Sequence, residues 1–334
     1  MPRRIHGDGA SATGVELLNK NRDQGAAGGR PEQETPQVVC FGMIIPAVVL
    51  VVDEFPPHNT GALVRQAQEF ISDDAAIVAT ILRQWDVPTG LIGTALGDDE
   101  RGRSAARRLQ EMGVLGEVRL LPGMTTPYEV DVSDRSGART YFWQREPEVL
   151  ATLDSADLSL LKGSGMLYVD WYDGEPILRA MREARRLGVP AFLNLEHGHQ
   201  DADALRRFAS GATICQVVTD PAQRGGDARG VAEKLLGVGV DSVLVTLAGE
   251  GCLAVQGDEW VRVWAPPVEV VDGCGAGAAF SAGFMLGRLR GWDLERSARF
   301  ASAAASMKCT RLGPKVHPEE EITHVAGTLR VERG

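Results

Sequence analysis

The residues best suited to chemistry lie in one ten-residue stretch, 271–280, which reads VDGCGAGAAF. Three glycines fall within five positions, between the β-branched residues at 268–271 and apolar residues that recur at helical spacing from Phe280. A glycine-rich turn at a helix start leaves backbone N–H groups unpaired, with the positive end of the helix dipole behind them. The stretch therefore predicts a short strand, an anion-binding turn and a helix.

The same turn has alternative interpretations. A G-x-G triplet before a helix is common, and neither usual phosphate fingerprint fits: there is no G-x-x-x-x-G-K-[ST], and the loop lies far from the N-terminus, where a dinucleotide G-x-G-x-x-G usually occurs. Cys274 could be a nucleophile, but no histidine lies near it in sequence, so a small residue filling the turn is the preferred interpretation. The function of the loop can therefore be assigned only together with the other motifs of the chain.

The second half of the chain alternates strand-like and helix-like segments. Strands are predicted at 166–169, 191–195, 213–218 and 242–247, helices at 177–186, 203–208 and 229–236, and a hairpin at 252–263. This rhythm predicts an α/β fold with a mostly parallel sheet covered on both faces. Ligands of such sheets bind beyond the carboxyl ends of the strands.

The first half contains strands without paired helices, predicted at 48–53, 117–121 and 128–143, the last interrupted by the turn Asp134-Arg135-Ser136-Gly137. These strands could form a second, smaller sheet that acts as a lid, since phosphoryl transfer must exclude water from the donor. An ordinary surface hairpin is the alternative. The apolar run 38–52 contains Pro46 and is too short to span a membrane, so we interpret it as two strands.

Composition narrows the classes of function. The 334 residues are 44% hydrophobic and carry a net charge of -10, which argues against nucleic acid or an anionic membrane as a partner. The five cysteines are widely spaced and form no C-x-x-C pair, so we expect neither zinc nor disulfides and a cytoplasmic location. Residues 1–36 are polar and aperiodic and predict a disordered tail, and 326–334 predict a short C-terminal tail.

Several segments, in order, resemble the motifs of the PfkB or ribokinase family of sugar and nucleoside kinases. The segment 93–102 is similar to the family's G-x-x-G-x-D-x-x-G, 136–140 to its lid hairpin, 246–251 to its T-L-G-x-x-G nucleotide turn, 271–280 to its D-T-x-G-A-G-D-x-F motif, and 302–313 to the helix and turn that follow. The resemblance implies a ribokinase-like, three-layer Rossmann-like core with a mostly parallel sheet and a small β-sheet lid. It covers roughly residues 37–325.

The resemblance also implies an activity and a set of site residues. The γ-phosphoryl group of ATP would be transferred, with Mg²⁺, to a hydroxymethyl group of a sugar-like alcohol. The anion hole would consist of Gly275, Ala276 and Gly277, and the nucleotide would lie along Thr246, Gly249, Gly251 and Ser302.

Metal and substrate positions follow the same resemblance. Asp272 matches a position that in some members helps to bind a monovalent cation such as K⁺, and Asp220 is the one acid left in the segment that orders Mg²⁺. Asp73 and Asp74 are candidates for substrate contacts or for a proton acceptor, although they could be solvated acids at a helix start. Arg139 could reach substrate or phosphate, or pair with surface acids.

One departure from the family pattern concerns the chemistry itself, because the family's catalytic aspartate is Ala278 in this chain. Removal of a general base typically costs about 10²–10⁴ in rate. Positioning and charge neutralisation carry much of phosphoryl transfer, so residual activity could survive. Ala47, Ile77 and Ala222 also stand where the family has polar residues, which favours natural divergence over an engineered substitution at Ala278.

Three hypotheses follow. The first is an ATP-dependent sugar kinase in which another acid, Asp73 or Asp74, serves as the base. The second is a pseudokinase that binds a nucleotide or sugar without catalysis. A nicotinamide oxidoreductase is the third and is weak, because no acid follows the loop at the ribose spacing. The acid and histidines at Glu196-His197-Gly198-His199 are a weak metal signal near a strand's carboxyl end. A homodimer that pairs the edges of two lids is a further expectation.

Overall fold

The computed structural model of the chain describes residues 34–135, 139–219 and 227–334. Residues 34–334 belong to one compact unit. Nearly all of the predicted tail 1–36 lies outside the described residues, as do Asp220 and the lid turn at 136–138.

The described elements alternate through most of the chain. The strands are β1 (Val38–Gly42), β2 (Ile45–Val52), β3 (Val64–Ser72), β4 (Thr89–Gly93), β5 (Leu96–Gly97), β6 (Leu120–Leu121), β7 (Tyr128–Ser133), β8 (Arg139–Gln144), β9 (Met166–Asp170), β10 (Ala191–Glu196), β11 (Ile214–Val218), β12 (Ser242–Thr246), β13 (Cys252–Gln256), β14 (Glu259–Val263) and β15 (Val331–Arg333). The helices are α1 (Asp74–Gln84), α2 (Glu100–Glu111), α3 (Pro147–Ala151), α4 (Pro176–Leu187), α5 (Ala202–Phe208), α6 (Ala228–Gly237), α7 (Ala276–Leu289), α8 (Leu294–Lys308) and α9 (Glu319–Thr328).

The main sheet has nine strands in the order β15-β14-β13-β12-β11-β10-β9-β1-β4. The six strands from β12 to β4 run parallel, and β13, β14 and β15 add an antiparallel edge. All five residues of β1 are buried, as expected of a parallel strand covered on both faces. The prediction of a mostly parallel α/β sheet is confirmed.

Apolar clusters on the two faces of this sheet form the three layers. One cluster joins the buried faces of α1, α7 and α8, where Ile77, Phe284 and Phe300 pack together with residues of the sheet. The other joins α4, α5 and α6, where Ile177 and Leu235 are fully buried. Among the described helices, none combines the length and the apolar character needed to cross a membrane.

The lid is a separate four-stranded sheet in the order β3-β2-β7-β8. It contains β2, β7 and β8 as predicted, but the expected strand at 117–121 is wrong: only Leu120–Leu121 is extended, and it pairs with β5 in a two-stranded sheet. The edge strand β3 replaces it. Most of β3 is polar and exposed, so its sequence carries no alternating apolar signal.

Two further expectations differ from the structure. No strand forms at 268–271, because Pro266 and Pro267 lack N–H donors, while Val271 and Asp272 donate their N–H groups to the Cys309 carbonyl, at 2.8 and 3.1 Å. The segment 326–334, expected as a tail, contains the end of α9 and the strand β15, which pairs antiparallel with β14.

The segment 93–102 supports the fold and lies at the base of the lid. Asp99 caps α2 by accepting the N–H of Gly102 at 2.7 Å, and it also accepts the N–H and hydroxyl of Thr126, at 3.0 and 2.8 Å. A side chain at Gly102 would collide with the Gly97 carbonyl. Gly97, Gly102 and Asp99 therefore keep the backbone at Gly97 close to the start of α2.

Removal of the Asp99 carboxylate tests this role. Partial burial alone would raise the pKa of Asp99, but the hydrogen bonds from Gly102 and Thr126 outweigh it and hold the pKa below its ordinary value. We expect Asp99→Ala to lower the free energy of unfolding by about 1–2 kcal/mol in urea titrations near neutral pH.

Because its folded-state pKa is depressed, this carboxylate stabilises the protein above the ordinary aspartate pKa, and its contribution is lost as the pH falls through the folded value. The stability difference between Asp99→Ala and the unmodified protein should therefore shrink in acid. Asp98→Ala, which removes a neighbouring exposed carboxylate, is the control. Equal losses in the two variants would contradict the capping role.

Candidate functional site

A cavity of about 520 Å³ opens beside the start of α7. Its lining includes all four residues assigned to the nucleotide together with two of the anion hole: Thr246, Gly249, Gly251, Ser302, Ala276 and Gly277. These residues come from three separate parts of the sequence, 246–251, 276–277 and 302. The fold brings them to one place at the end of β12, which is a carboxyl end of the parallel sheet.

Small and apolar residues form the walls of this cavity. They come from the extended segment 265–270 and from Phe280 and Ala305. Gly251 has φ of 98°, and a side chain there would collide with the backbone at Val263, so only glycine permits this turn. The volume falls within the range of about 300–1,000 Å³ found for small-molecule sites, and the apolar walls suit a flat heterocycle.

The anion loop leads from this cavity into α7. Gly275 caps the helix with φ of 76° and supplies no side-chain cap. Ala276 donates its N–H to the Gly273 carbonyl and Ala279 to the Gly275 carbonyl, at 3.2 and 2.9 Å. Among the described residues, no backbone acceptor meets the N–H groups of Gly277 and Ala278. The helix start can therefore bind an anion, whereas the Ala278 side chain is fully buried and offers no proton acceptor.

A buried ion pair holds the loop in place. Lys308 is completely buried, donates to the backbone carbonyl of Asp272 at 2.7 Å, and lies 3.5 Å from the Asp272 carboxylate. The same carboxylate accepts the Ser133 hydroxyl and the N–H groups of Cys274 and Gly313, at 3.0, 2.9 and 2.9 Å. Since Lys308 already balances its charge, Asp272 does not fit the monovalent-cation role that the resemblance implies.

A second group of polar residues lies at the carboxyl ends of β9 and β10. We call Asp74, Asp170 and Glu196 the carboxylate cluster; one oxygen from each lies within 4.8 Å of the others. The Asn194 amide nitrogen lies 3.1 Å from the Asp74 carboxylate, 2.7 Å from Asp170 and 2.9 Å from Glu196. Glu196 has φ of 48°, a strained conformation for a residue with a side chain.

Burial and mutual repulsion change the protonation of these acids. Burial, reinforced by the Glu196 charge, raises the pKa of Asp74 to about 7, and burial with the Asp74 charge raises the pKa of Asp73 to about 8. Burial and the same Asp74 charge raise the pKa of Asp170 well above its ordinary value. Asp73 and Asp74 are therefore partly buried acids that titrate near neutral pH, which suits proton transfer.

The lid adds a charged and aromatic surface opposite these acids. Strands β7 and β8 present Glu129, Asp131, Arg139, Tyr141 and Trp143 on the face that also carries the buried residues of β2. The Arg139 guanidinium lies near the carboxylates of Asp131 and Asp74, and the rings of Tyr141 and Trp143 are 5.3 Å apart. About half of each ring is exposed, so the rings can contact a ligand.

The fold thus brings the predicted substrate residues Asp73, Asp74 and Arg139 together, and it places Asp170 and Asn194 beside them. Asp170 and Asn194 were not singled out from the sequence, although their positions at the ends of predicted strands were an available signal. No sequence signal points to Lys308. The histidines of the weak metal motif do not join the cluster: His197 packs against Trp171 and Tyr172, and His199 contacts the Glu196 backbone carbonyl at 3.1 Å.

Comparison with known proteins identifies the family. Residues 35–321 match the model of the pfkB family carbohydrate kinases, and the chain belongs to this family. It is a sugar or nucleoside kinase of the ribokinase type.

Two relatives and one solved structure illustrate the similarity. The chain is 27% identical to a nucleoside kinase of Methanothermobacter thermautotrophicus, over 77% of this chain and 84% of the relative. It is 27% identical to an ATP-dependent ribose-1-phosphate kinase of Halopiger xanaduensis, over 84% and 95%. The structure of Arabidopsis thaliana ribokinase complexed with ribose and ATP is similar in fold, with a TM-score of 0.67 and 19% identity over 88% of this chain and 99% of that chain.

The Lys308–Asp272 pair predicts how the protein responds to K⁺. We expect the melting temperature of the unmodified protein to be the same in potassium, sodium and choline chloride at equal ionic strength. Lys308→Gln leaves the Asp272 charge buried and unpaired, which should destabilise the protein by about 3–5 kcal/mol. Added K⁺ should then recover part of that loss.

The exposed Lys315→Gln variant is the matched control and should show neither effect. Selective stabilisation of the unmodified protein by K⁺ would show that Lys308 does not replace the cation.

Proposed function

We propose that this kinase transfers the γ-phosphoryl group of ATP to a hydroxymethyl group of a sugar or nucleoside-like alcohol. The observation that carries the proposal is the continuity of the 520 Å³ cavity with the anion loop, because Ala276 and Gly277 line the cavity and also begin α7. A nucleotide in the cavity would have its phosphates directed at the free N–H groups of the helix start. The ATP-dependent ribose-1-phosphate kinase among the relatives supports the choice of donor.

The residues present fit ATP, since the cavity has the size, apolar walls and small residues that a nucleotide requires. When bound, ATP supplies the phosphoryl group and Mg²⁺ neutralises the charge of its phosphates. Thr246, Gly249, Gly251 and Ser302 would line the nucleotide. Asp220, which lies outside the described residues, remains the predicted acid for Mg²⁺.

The proton of the attacking hydroxyl needs an acceptor other than Ala278. Asp74 and Asp170 share the Asn194 amide, which leaves the adjacent Asp73 as our choice of base. Asp73 is partly buried, has a pKa of about 8, and is held at φ of 76° in the one-residue link between β3 and α1. Strained residues of this kind persist where the surrounding structure holds them, and they are concentrated at functional sites.

The acceptor site suits a ring that carries hydroxyl groups. Carboxylates of the cluster can accept hydrogen bonds from hydroxyls, while Tyr141 and Trp143 offer aromatic faces to a sugar ring or a base. Arg139 lies between the lid and the cluster, where it would contact the substrate or its phosphate.

The outer strand of the lid supports the proposal of a homodimer. Strand β8 is one of the two edges of the lid, and its aromatic residues Tyr141, Phe142 and Trp143 are each about half exposed. An unpaired edge with apolar side chains favours pairing with a second copy. The wide spacing of the five cysteines in the sequence supports the proposed cytoplasmic location.

The base assignment predicts the activities of three variants, measured as phosphate transfer from ATP to a panel of pentoses, hexoses and nucleosides. The unmodified protein should transfer slowly, with a rate that rises from about pH 6 to about pH 9 as Asp73 loses its proton. Asp73→Asn should reduce the rate by about 10²-fold or more, and Ala278→Asp should raise it by a similar factor. Ala278→Asn, which has nearly the shape of aspartate without its basicity, should not raise it.

Transfer by Ala278→Asp alone would contradict activity in the unmodified chain and support the pseudokinase alternative. If neither protein transfers phosphate and ATP with Mg²⁺ does not raise the melting temperature, the nucleotide assignment is wrong as well.

The aromatic face of the lid makes a separate prediction. Trp143→Ala should raise KM for the acceptor about fivefold with little change in kcat, because an aromatic contact contributes roughly 1 kcal/mol beyond burial. Phe142→Ala is the control, since Phe142 points to the opposite face of the strand. Equal effects of the two variants on KM would show that the inner face does not contact the acceptor.

A further inference from the structure

We propose that the carboxylate cluster, Asp74, Asp170 and Glu196 with Asn194, binds a hard divalent cation such as Mg²⁺, Mn²⁺ or Ca²⁺. This site is separate from any metal that accompanies ATP, because its residues lie at the start of α1 and at the ends of β9 and β10 and do not line the nucleotide cavity. The proposal does not depend on the proposed function, since the cation can be bound without a nucleotide.

The arrangement of oxygen atoms is the first argument. The three carboxylate oxygens lie within 4.8 Å of one another, so small side-chain rotations would bring all three to the roughly 2.0–2.6 Å from one ion that hard cations require. Every side chain of the cluster offers oxygen, the donor that these cations prefer. Asp74 and Glu196 are only partly buried, which leaves a path for the ion from the cleft.

The hydrogen bonding of the Asn194 amide is the second argument. One NH₂ group has two hydrogens, yet its nitrogen lies within hydrogen-bond distance of three carboxylates, at 3.1, 2.7 and 2.9 Å. The Asn194 oxygen is buried and has no hydrogen-bond partner. A turn of the amide about its last bond would exchange the two atoms and present this oxygen to an ion as a fourth ligand.

Tyr168 provides an independent observation. It lies two residues before Asp170 on β9, so both side chains point to the same face of the sheet. Tyr168 is completely buried and its hydroxyl has no hydrogen-bond partner. Burial, followed by the charges of Asp74 and Asp170, raises the pKa of Tyr168. A buried hydroxyl without a partner is unfavourable, and a water molecule on the cation would provide one.

Binding of Mn²⁺ to the nucleotide-free protein, followed by the loss of the free-ion signal in electron paramagnetic resonance, tests the proposal. We expect one Mn²⁺ to bind per chain. Glu196→Gln and Asp170→Asn should each weaken the affinity by about tenfold or more. Asp173→Asn removes a buried carboxylate beside Asp170 but outside the cluster, so its affinity should stay near that of the unmodified protein.

Thermal melts without metal separate lost binding from misfolding. Removal of one negative charge from the cluster relieves repulsion between its carboxylates, so Glu196→Gln should melt at or above the temperature of the unmodified protein. Mn²⁺ should raise the melting temperature of the unmodified protein more than that of this variant. Failure to bind millimolar Mn²⁺, or equal binding by the cluster variants and Asp173→Asn, would overturn the proposal. Neither result would bear on phosphate transfer from ATP.

Discussion

The buried pair of Lys308 and Asp272 is the interaction on which the rest of the site depends. It joins the end of α8 to the anion loop, and the same carboxylate receives hydrogen bonds from the lid strand at Ser133 and from Gly313. A buried ion pair is stable only when hydrogen bonds and the opposite charge replace the lost water around each group. The groups that donate to Asp272 come from several separate parts of the chain. The geometry of the loop, the foot of the lid and the turn after α8 are therefore set together.

Much of the core could be predicted from the sequence because its signals are local. Short apolar runs and the turn residues between them predict the alternation of strands and helices from residue 166 to 246. They also predict the division of 38–52 into β1 and β2. The expected strand at 268–271 failed because its backbone bonds to Cys309, a distant partner. Strand β3 was missed because most of its residues are polar, so its extended conformation is stabilised by antiparallel pairing with β2 and not by a local apolar pattern.

The residues of the site also fall into two groups, those that local sequence patterns predict and those that they do not. The glycines of the loop and Thr246, Gly249, Gly251 and Ser302 could be assigned from local patterns, and the fold brings them around one cavity. Lys308 could not, because a lysine within a helix is ordinarily exposed and nothing near it in sequence shows that it is buried. The carboxylate cluster is assembled from three elements of the fold, and the pKa of Asp74 is raised only because folding buries the acids beside one another.

The attachments of the lid determine how the site can open. Only two residues separate β1 from β2, one separates β3 from α1, and β7 is held at Ser133 by its bond to Asp272. A rigid swing of the whole sheet would have to break these attachments. The Gln144 end of β8 is likewise only two residues from α3, whereas its Arg139 end has no short link to the core among the described residues, and large conformational changes are absorbed where restraint is least. Under the proposed function, the acceptor would therefore enter and leave by bending of this end of the lid edge, and a contact that stiffens it would slow product release.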